Sequence, residues 1–374
     1  MAFVRAASAA KEAEETSCNP VALLPLDISV TFSPKRRLLR RLHMLSYRLG
    51  LSSVYGRVAS QLTGQSVASI LMYHSIPSPH EVPWLDPRNC LSAACFDRHM
   101  KFLATRRHVV SVDELVAQLA TGKPIWRGTV AITFDDGYLN NLRVAAPILA
   151  KYDLPATLYL ATAYVSAAKN QWIDTLYGAF RARSQNLLHL NGEHWDLSVG
   201  AEAAYASVAS HLIRCTPEQR AQVLQSVDEQ LAPRAYPPRL TMNWDEVREL
   251  QRDYPQVSLG VHTANHLDLD THSDRADEEM QLSITQVLTE TGKRPQHLAF
   301  PYNRYNDSAQ KQVAQHLRSA VAIAPDPVVR THTSPYALPR LAAPQSLTLL
   351  KSWTNGGFPD IGQRLFGQVW TRPF

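Results

Sequence analysis

Short apolar segments recur along the chain, and several end where polar side chains capable of chemistry begin. Runs of about four to eight apolar residues without strict alternation are typical of strands buried on both faces of a parallel sheet. Similar runs at 157–162 and 319–324 lack such polar side chains. The segments VASILMY, TVAITF, VSLGV and HLAF lead, in order, into His74, Asp135 and Asp136, His262, and Pro301 and Tyr302. We therefore predict buried parallel strands with functional groups at the carboxyl ends of several of them.

Helix-like stretches lie between these strands, at 96–105, 141–152, 244–253 and 278–291. Strands that alternate with helices predict an α/β fold. A parallel β/α barrel gathers its reactive groups at the carboxyl ends of the strands, which matches the placement in this chain. An open, doubly wound sheet gathers them in the same way, so the alternation predicts the layers but not whether the sheet closes.

Three other segments lack this alternation and suggest a domain organisation. Residues 1–65 form an N-terminal extension, and the main domain follows at 66–345. Within the main domain, Ala-rich and Gln-rich helical stretches at about 165–240 indicate an insertion that caps or flanks the site. The C-terminal tail at 346–374 contains Gly356, Gly357 and Pro359 and is predicted to be irregular.

The N-terminal extension contains one basic, amphipathic segment. Leucines at 38, 42, 45 and 49 recur at three- and four-residue steps and share one face of a predicted helix. Such a helix can lie on an anionic membrane, or it can pack its leucines on the main domain and leave its arginines in water. The basic stretch is too short to indicate nucleic-acid binding. Its cations lack an acidic neighbour: Lys35, Arg36, Arg37, Arg40, Arg41 and Arg48.

The composition indicates a folded globular protein, because 45% of the residues are hydrophobic and 19% are charged. No apolar run approaches the roughly 20 residues of a membrane span, and acidic residues occupy the place of a signal peptide's apolar core. The four cysteines show no CxxC spacing, which fits a reducing compartment. We expect a cytoplasmic protein, peripheral on the inner membrane face if the basic helix binds lipid.

Two adjacent carboxylates carry the strongest local signal for chemistry. Asp135 and Asp136 follow a predicted strand, and Gly137 permits a sharp turn after them. One carboxylate of such a pair can bind a metal ion while its neighbour takes a proton from water. An Asp-Asp-Gly sequence also occurs in ordinary surface turns, so it does not by itself establish catalysis.

His262 and His266 form a second signal, because imidazoles four residues apart lie on the same side of a helical turn. Chance also produces such pairs on solvated helices. With one aspartate they form a set of ligands that leaves metal positions open, as hydrolytic zinc sites require.

A third signal is the Phe-Pro-Tyr-Asn sequence at 300–303, where proline fixes the backbone and the next amide could face an oxyanion. An ordinary strand exit would explain the same residues.

In combination these motifs resemble those of the polysaccharide deacetylase family, which includes nodulation-factor and chitin deacetylases. The segment Thr133 to Tyr138, the His-x-x-x-His at 262–266 and the Phe-Pro-Tyr at 300–302 match its first three motifs in order. Met72-Tyr73-His74-Ser75 resembles the branch that acts on bacterial surface and biofilm polysaccharides. The resemblance implies a distorted (β/α)7 barrel that holds a divalent metal, with zinc as the expected ion.

The resemblance also assigns roles to individual residues. It implies that Asp135 is the general base and that Asp136, His262 and His266 bind the metal. The backbone amide of Tyr302 would contribute to the oxyanion hole. The implied reaction is attack of an activated water on an acetamide carbonyl, which releases acetate and leaves a free amine.

The sequence departs from the commoner family pattern at three places. Ala299 stands where many members carry an arginine, and Arg340 is the candidate substitute. Asn303 replaces a usual glycine, although asparagine tolerates a left-handed backbone better than most residues. The late Leu-x-His that supplies a general acid is not evident. His74 is the candidate acid, and a structural histidine beside the site would fit the same position.

Trp172 and Asp174 resemble a tryptophan and aspartate segment seen near some family sites, although a tryptophan packed inside the insertion explains the same pattern. With Pro301 and Arg340 they are the candidate substrate-contacting or supporting residues.

The expected function is metal-dependent removal of N-acetyl groups from an amino-sugar-containing polysaccharide, glycolipid or lipid-linked glycan. An O-acetyl esterase on the same fold, or a barrel that binds sugar without turnover, is the alternative. No nucleic-acid partner is expected.

Overall fold

The computed structural model describes Leu24, Leu26 and residues 67–324 and 327–355. The predicted basic helix at 35–49 and the tail beyond residue 355 lie outside the described residues. Among the helices that are described, none is both long enough and apolar enough to span a membrane.

Parallel strands close into a barrel. Seven strands form the ring, hydrogen-bonded in the order β1-β10-β9-β8-β7-β4-β3, and β3 pairs with β1 to complete it. The two-residue strand β2 pairs with β3 beside the ring, and β5 and β6 form a separate hairpin. The closed ring confirms the predicted barrel and excludes the open sheet. The strands are β1 (Ala68–Tyr73), β2 (His108–Val109), β3 (Thr129–Phe134), β4 (Ala156–Leu160), β5 (Leu187–Leu190), β6 (Glu193–Asp196), β7 (Val257–Val261), β8 (His297–Ala299), β9 (Ser319–Ile323) and β10 (Leu338–Ala342).

Helices connect the barrel strands and build the insertion. Helices α4 to α8 lie between β4 and β7, α2 follows β2, and the others follow barrel strands. Capping boxes begin α2, α7 and α8, where Ser111, Thr216 and Asn243 each bond a backbone N–H three residues on. The helices are α1 (Ala93–Arg106), α2 (Val112–Ala120), α3 (Ala146–Lys151), α4 (Thr162–Ala167), α5 (Trp172–Ala182), α6 (Glu202–Ile213), α7 (Pro217–Leu231), α8 (Trp244–Asp253), α9 (Ala276–Thr291), α10 (Asp307–His316) and α11 (Leu347–Trp353).

The barrel strands are mainly apolar and are buried along most of their length because both of their faces are covered. Every residue of β1, β3 and β4 is buried. Side chains such as Ile70, Ala131 and Tyr159 belong to one apolar cluster, and outward residues such as Leu71 and Ile132 pack in another with the surrounding helices. Register therefore sets which residues point to the barrel axis.

Two segments differ from the sequence prediction. The insertion has its own apolar core around Phe180, Tyr205 and Leu212, but it also contains the β5–β6 hairpin, which helical composition did not indicate. The C-terminal tail is not irregular at its start, because α11 buries Leu350 in the apolar cluster that the outward strand residues form with the surrounding helices. A seven-residue amphipathic segment is too short to stand out from the irregular sequence that follows it.

Candidate active site

A cavity lies at the carboxyl ends of the barrel strands, under the insertion. Strand β1 leads to His74, β3 to the two aspartates, β7 to the histidine pair and β8 to Tyr302, while the insertion contributes Trp172. The four predicted clusters therefore meet in one place. The lining residues are Met72, His74, Asn89, Asp135, Asp136, Gln171, Trp172, Ile173, His262, His266, Phe300, Tyr302 and Asn303.

A tight turn directs the second aspartate into this cavity. Asp136 and Gly137 are both left-handed, with φ of 75° and 80°. Glycine adopts this conformation freely, and aspartate does so more readily than most residues. A Cβ at position 137 would also lie 3.0 Å from a methyl carbon of Leu160. The turn predicted from the Asp-Asp-Gly sequence is thus present, and it is buried rather than on the surface.

The histidine pair reaches the same point by a different route from the one predicted. His262 and His266 do not lie on a helical turn; an irregular loop follows β7 and connects them. Thr263 and His266 are left-handed in this loop, with φ of 59° and 51°, and they fold the chain back on itself. The two Nε2 atoms consequently lie 3.1 Å apart. Nδ1 of His262 donates to the carbonyl of Ala299 at 2.7 Å, which leaves the lone pair on Nε2 free for a metal.

Asp136, His262 and His266 present three ligand atoms to one point. Oδ1 of Asp136 lies 3.6 Å from Nε2 of His262 and 3.3 Å from Nε2 of His266. Tetrahedral ligands about 2.0–2.1 Å from a zinc ion would be roughly 3.3–3.4 Å from one another. The buried Oδ1 has no hydrogen-bond partner among the described residues. This donor set therefore fits a divalent cation, and it is the one cluster of its kind within 67–324 and 327–355.

The electrostatics of these three residues also favour a cation. Burial and the adjacent charge of Asp135 raise the pKa of Asp136 well above its ordinary value. Burial lowers the pKa of His262 and of His266, so both imidazoles are neutral and available as ligands. An ionised Asp136 beside a second carboxylate needs a compensating positive charge, which a bound metal supplies.

We expect the affinity for the metal to decrease as the pH is lowered, because a proton competes with the metal for Asp136. The lowered pKa values of the histidines keep them deprotonated as the pH falls, so Asp136 is the first ligand to be protonated. Competition titrations with Zn²⁺ between about pH 8 and pH 5 measure this effect. The variant Asp136→Asn should bind more weakly and with a smaller pH dependence. A wild-type affinity that does not change over this range would contradict the prediction.

Asp135 is held by Arg340 on β10. Both of its carboxylate oxygens accept from the guanidinium, at 2.7 Å each, and the pair is buried. Oδ2 lies 4.0 Å from Nε2 of His262, so the carboxylate borders the proposed metal position. Burial acts to raise the pKa of Asp135, but the charge and hydrogen bonds of Arg340, together with His262 and His74, outweigh it and lower the pKa to about 2. The structure thus places Arg340 beside the proposed base, and its role as a substitute for the arginine missing at 299 stays a prediction.

His74 and Tyr302 both line the cavity. Burial lowers the pKa of His74 to about 4, so its imidazole is neutral at pH 7 and must take up a proton before it can donate one. Tyr302 and Asn303 are left-handed, with φ of 55° and 59°, which agrees with asparagine in place of glycine. The hydroxyl of Tyr302 donates to the carbonyl of His266 at 3.1 Å.

The remaining predicted residues have separate positions. Trp172 lines the cavity and donates from Nε1 to the Tyr302 hydroxyl at 2.7 Å, while it also packs in the insertion core. Asp174 is buried outside the cavity lining, and burial raises its pKa well above the ordinary value. Pro301 is buried in the turn that follows β8. Gln171 was not among the predicted site residues, although its Nε2 donates to the carbonyl of Asp136 at 3.0 Å.

A closed, seven-stranded parallel barrel with a buried Asp-His-His set defines a β/α barrel equipped to hold a metal ion. The family model described as polysaccharide deacetylase matches residues 123–320, which is more than half of the chain. The chain belongs to the polysaccharide deacetylase family.

Individual relatives are more distant. Over 94 residues the chain is 36% identical to YxkH of Bacillus subtilis (strain 168), whose name marks it as a candidate polysaccharide deacetylase; the match covers 24% of this chain and 30% of YxkH. The fold is similar to that of the Streptococcus pyogenes deacetylase PplD in complex with acetate, with a TM-score of 0.51, 18% identity and coverage of 77% of this chain and 98% of PplD. For IcaB from Ammonifex degensii the TM-score is 0.51 and the identity 15%, and the match covers 78% of this chain and 97% of IcaB. For a de-N-acetylase from Aggregatibacter actinomycetemcomitans the TM-score is 0.50 and the identity 16%, and the match covers 77% of this chain and 99% of that protein.

Proposed function

We propose that this protein hydrolyses N-acetyl groups on an amino-sugar-containing polysaccharide, glycolipid or lipid-linked glycan and releases acetate. The observation that carries the proposal is the buried triangle of Asp136, His262 and His266 with the ionised Asp135 beside it. Membership of the polysaccharide deacetylase family supports deacetylation, and the Tyr-His-Ser sequence at 73–75 favours a bacterial surface polysaccharide.

The metal ligands and the proposed base would have separate roles in the reaction. Asp136, His262 and His266 would hold a divalent ion, for which zinc is our candidate and which would supply Lewis-acid activation. Asp135 is ionised at neutral pH and would accept a proton from the attacking water, with its low pKa making it a weak base.

Two other groups would serve the substrate. The backbone amide of Tyr302 would donate to the carbonyl oxygen as negative charge develops there, a contribution typically worth about 3 kcal/mol. His74 would take up a proton and deliver it to the departing amine, which the neutral imidazole at the cavity wall allows. If the basic segment at 35–49 binds lipid, it would keep the enzyme on an anionic cytoplasmic membrane face near a lipid-linked substrate.

A screen for deacetylated products tests the proposal. We expect mass spectrometry of N-acetylated glycans to show a loss of about 42 Da per reacted residue, because hydrolysis exchanges an acetyl group for hydrogen. A metal chelator should abolish the reaction and Zn²⁺ should restore it. Paired substrates that carry either an N-acetyl or an O-acetyl group show whether the enzyme cleaves an amide or an ester bond. Release from the O-acetyl sugar alone would favour the esterase, and sugar binding without release from either would favour a silent barrel.

A further inference from the structure

Arg220 in helix α7 connects the insertion to the loop that carries the histidine ligands. Its side chain is buried, with 2% exposure. A guanidinium has five N–H donors, and each one has an acceptor in this protein. Nε donates to Leu212 O at 3.3 Å, Nη1 to Tyr164 Oη at 3.3 Å and Asn265 O at 3.2 Å, and Nη2 to Cys215 O at 3.4 Å and His266 O at 3.3 Å.

None of these acceptors is a carboxylate. Within the described part of the chain, no acidic group forms an ion pair with Arg220 at 4.0 Å or less; the ion pairs of the other arginines lie elsewhere. Burial of a cation without a counter-charge is strongly unfavourable unless hydrogen bonds offset it, so an apolar side chain would fill this space at lower cost. The hydrogen bonds that Arg220 makes are therefore the feature to be explained.

The ligand loop has a backbone that needs such support. His266 and Thr263 are left-handed, a conformation that is unfavourable for residues other than glycine. The carbonyl of His266 accepts from both Arg220 and the Tyr302 hydroxyl, at 3.3 and 3.1 Å. The direction of that carbonyl and the direction of the His266 imidazole depend on the same backbone angles, so fixing one restricts the other.

The loop is held from its other side as well. Glu279 of the barrel helix α9 is buried and accepts from the backbone N–H and the side-chain amide of Asn265, at 2.8 Å each. The carbonyl of Asn265 accepts from Arg220. A carboxylate of the barrel and a guanidinium of the insertion therefore hold the residue that precedes His266 between them.

A tryptophan completes the connection to the cavity wall. The guanidinium carbon of Arg220 lies 5.4 Å from the ring centroid of Trp172, within the range of a cation–π contact. Trp172 donates to Tyr302, and Tyr302 donates to the same His266 carbonyl that Arg220 bonds. Arg220, Trp172, Tyr302 and His266 thus form one closed set of contacts.

We propose that Arg220 is a positioning residue of the metal site, and that it makes the helical insertion part of that site rather than a cover over it. Arg220 holds the left-handed backbone at His266 and so directs the Nε2 atom toward Asp136 and His262. The inference rests on the proposed metal role of His266. It extends that role to a residue in a separate structural unit that itself contacts no metal position.

The test measures metal affinity in the purified full chain, so that it does not depend on turnover. We expect Arg220→Met to weaken Zn²⁺ binding by about 10–100-fold, the usual effect of removing a group that orients a ligand. The visible absorption of bound Co²⁺ should change as well, because it reports ligand geometry. Arg220→Lys keeps the charge but offers three donors in place of five, and we expect it to bind Zn²⁺ about tenfold more weakly than wild type.

Arg183 provides a matched control in the same insertion. It is also buried and bonds the carbonyls of Phe180 and Leu197, but none of its bonds reaches the ligand loop. Arg183→Met should lower the thermal unfolding midpoint while it leaves the Zn²⁺ affinity within about twofold of wild type.

The outcomes separate the two proposals. A wild-type chain that binds no Zn²⁺ would refute the proposed function itself. A wild-type chain that binds Zn²⁺ with an affinity equal to that of both Arg220 variants would overturn the positioning role alone. Equal weakening in Arg183→Met would also overturn it, because the effect would then follow from loss of insertion stability. If Arg220→Met does not fold, Arg220→Lys decides the question by the same comparison.

Discussion

The variant Asp135→Asn is expected to release acetate roughly 10²–10⁴-fold more slowly than wild type, which is the usual contribution of a general base. Asparagine keeps the size of the side chain and one oxygen, but an amide does not accept the proton of water. The three metal ligands are unchanged, so Zn²⁺ should remain bound in one equivalent. Initial rates of acetate release, together with elemental analysis of the dialysed protein, measure both quantities.

Asp97→Asn is a suitable control for this variant. Asp97 forms an exposed ion pair with Lys151 at 2.7 Å on the outer helices, remote from the cavity lining. Exposed ion pairs contribute about 0–1 kcal/mol to stability, so this variant should keep wild-type activity. Acetate release by Asp135→Asn within tenfold of wild type would show that another group accepts the proton.

Arg340→Met is expected to have the largest effect on stability. Removal of one partner from a buried, bidentate ion pair leaves the other charge uncompensated and costs about 3–5 kcal/mol. Urea unfolding at neutral pH measures this loss. The double variant Arg340→Met with Asp135→Asn removes both charges and should recover much of the lost stability, since neither charge is then left buried alone.

The same substitution should change the pH dependence of activity. In wild type the pKa of Asp135 is about 2, so this group stays ionised throughout the neutral range and adds no acid limb there. Its pKa lies below that of the unfolded chain, so its contribution to stability is present above about pH 4 and is lost as the pH falls toward 2. Without Arg340, burial raises the pKa, and an acid limb should move up into the measurable pH range. A variant with wild-type stability and an unchanged pH profile would refute the role given to Arg340.

The sequence predicts most of the barrel strands well because buried parallel strands form nearly continuous apolar runs. It predicts β10 poorly, since Pro339 interrupts a five-residue strand and proline usually argues against a strand position. Closure of the ring depends on pairing of β1 with both β3 and β10, which are distant in sequence. Alternation along the chain contains no information about such long-range pairs, so only the family resemblance predicted a closed barrel.

The candidate site was likewise predicted from the sequence only in part. Residue types and spacing indicated His262, His266 and one of two adjacent aspartates as metal ligands, and the family resemblance selected Asp136. Their backbone conformation could not be predicted, and the helical turn expected for His262 to His266 is wrong. Arg220 left no signal in the sequence, because a single arginine on a Gln-rich helix looks solvated and its partners are mainly backbone carbonyls, which every residue has.

The position of the bound metal ion tests the proposed site most directly. Crystals of the Zn²⁺-loaded protein should give one strong anomalous difference peak at the zinc edge. We expect it about 2.0–2.2 Å from Oδ1 of Asp136 and from Nε2 of both His262 and His266, the usual zinc–ligand distances. A peak bound by other residues, or acetate release by protein whose crystals show no metal there, would contradict the proposed site.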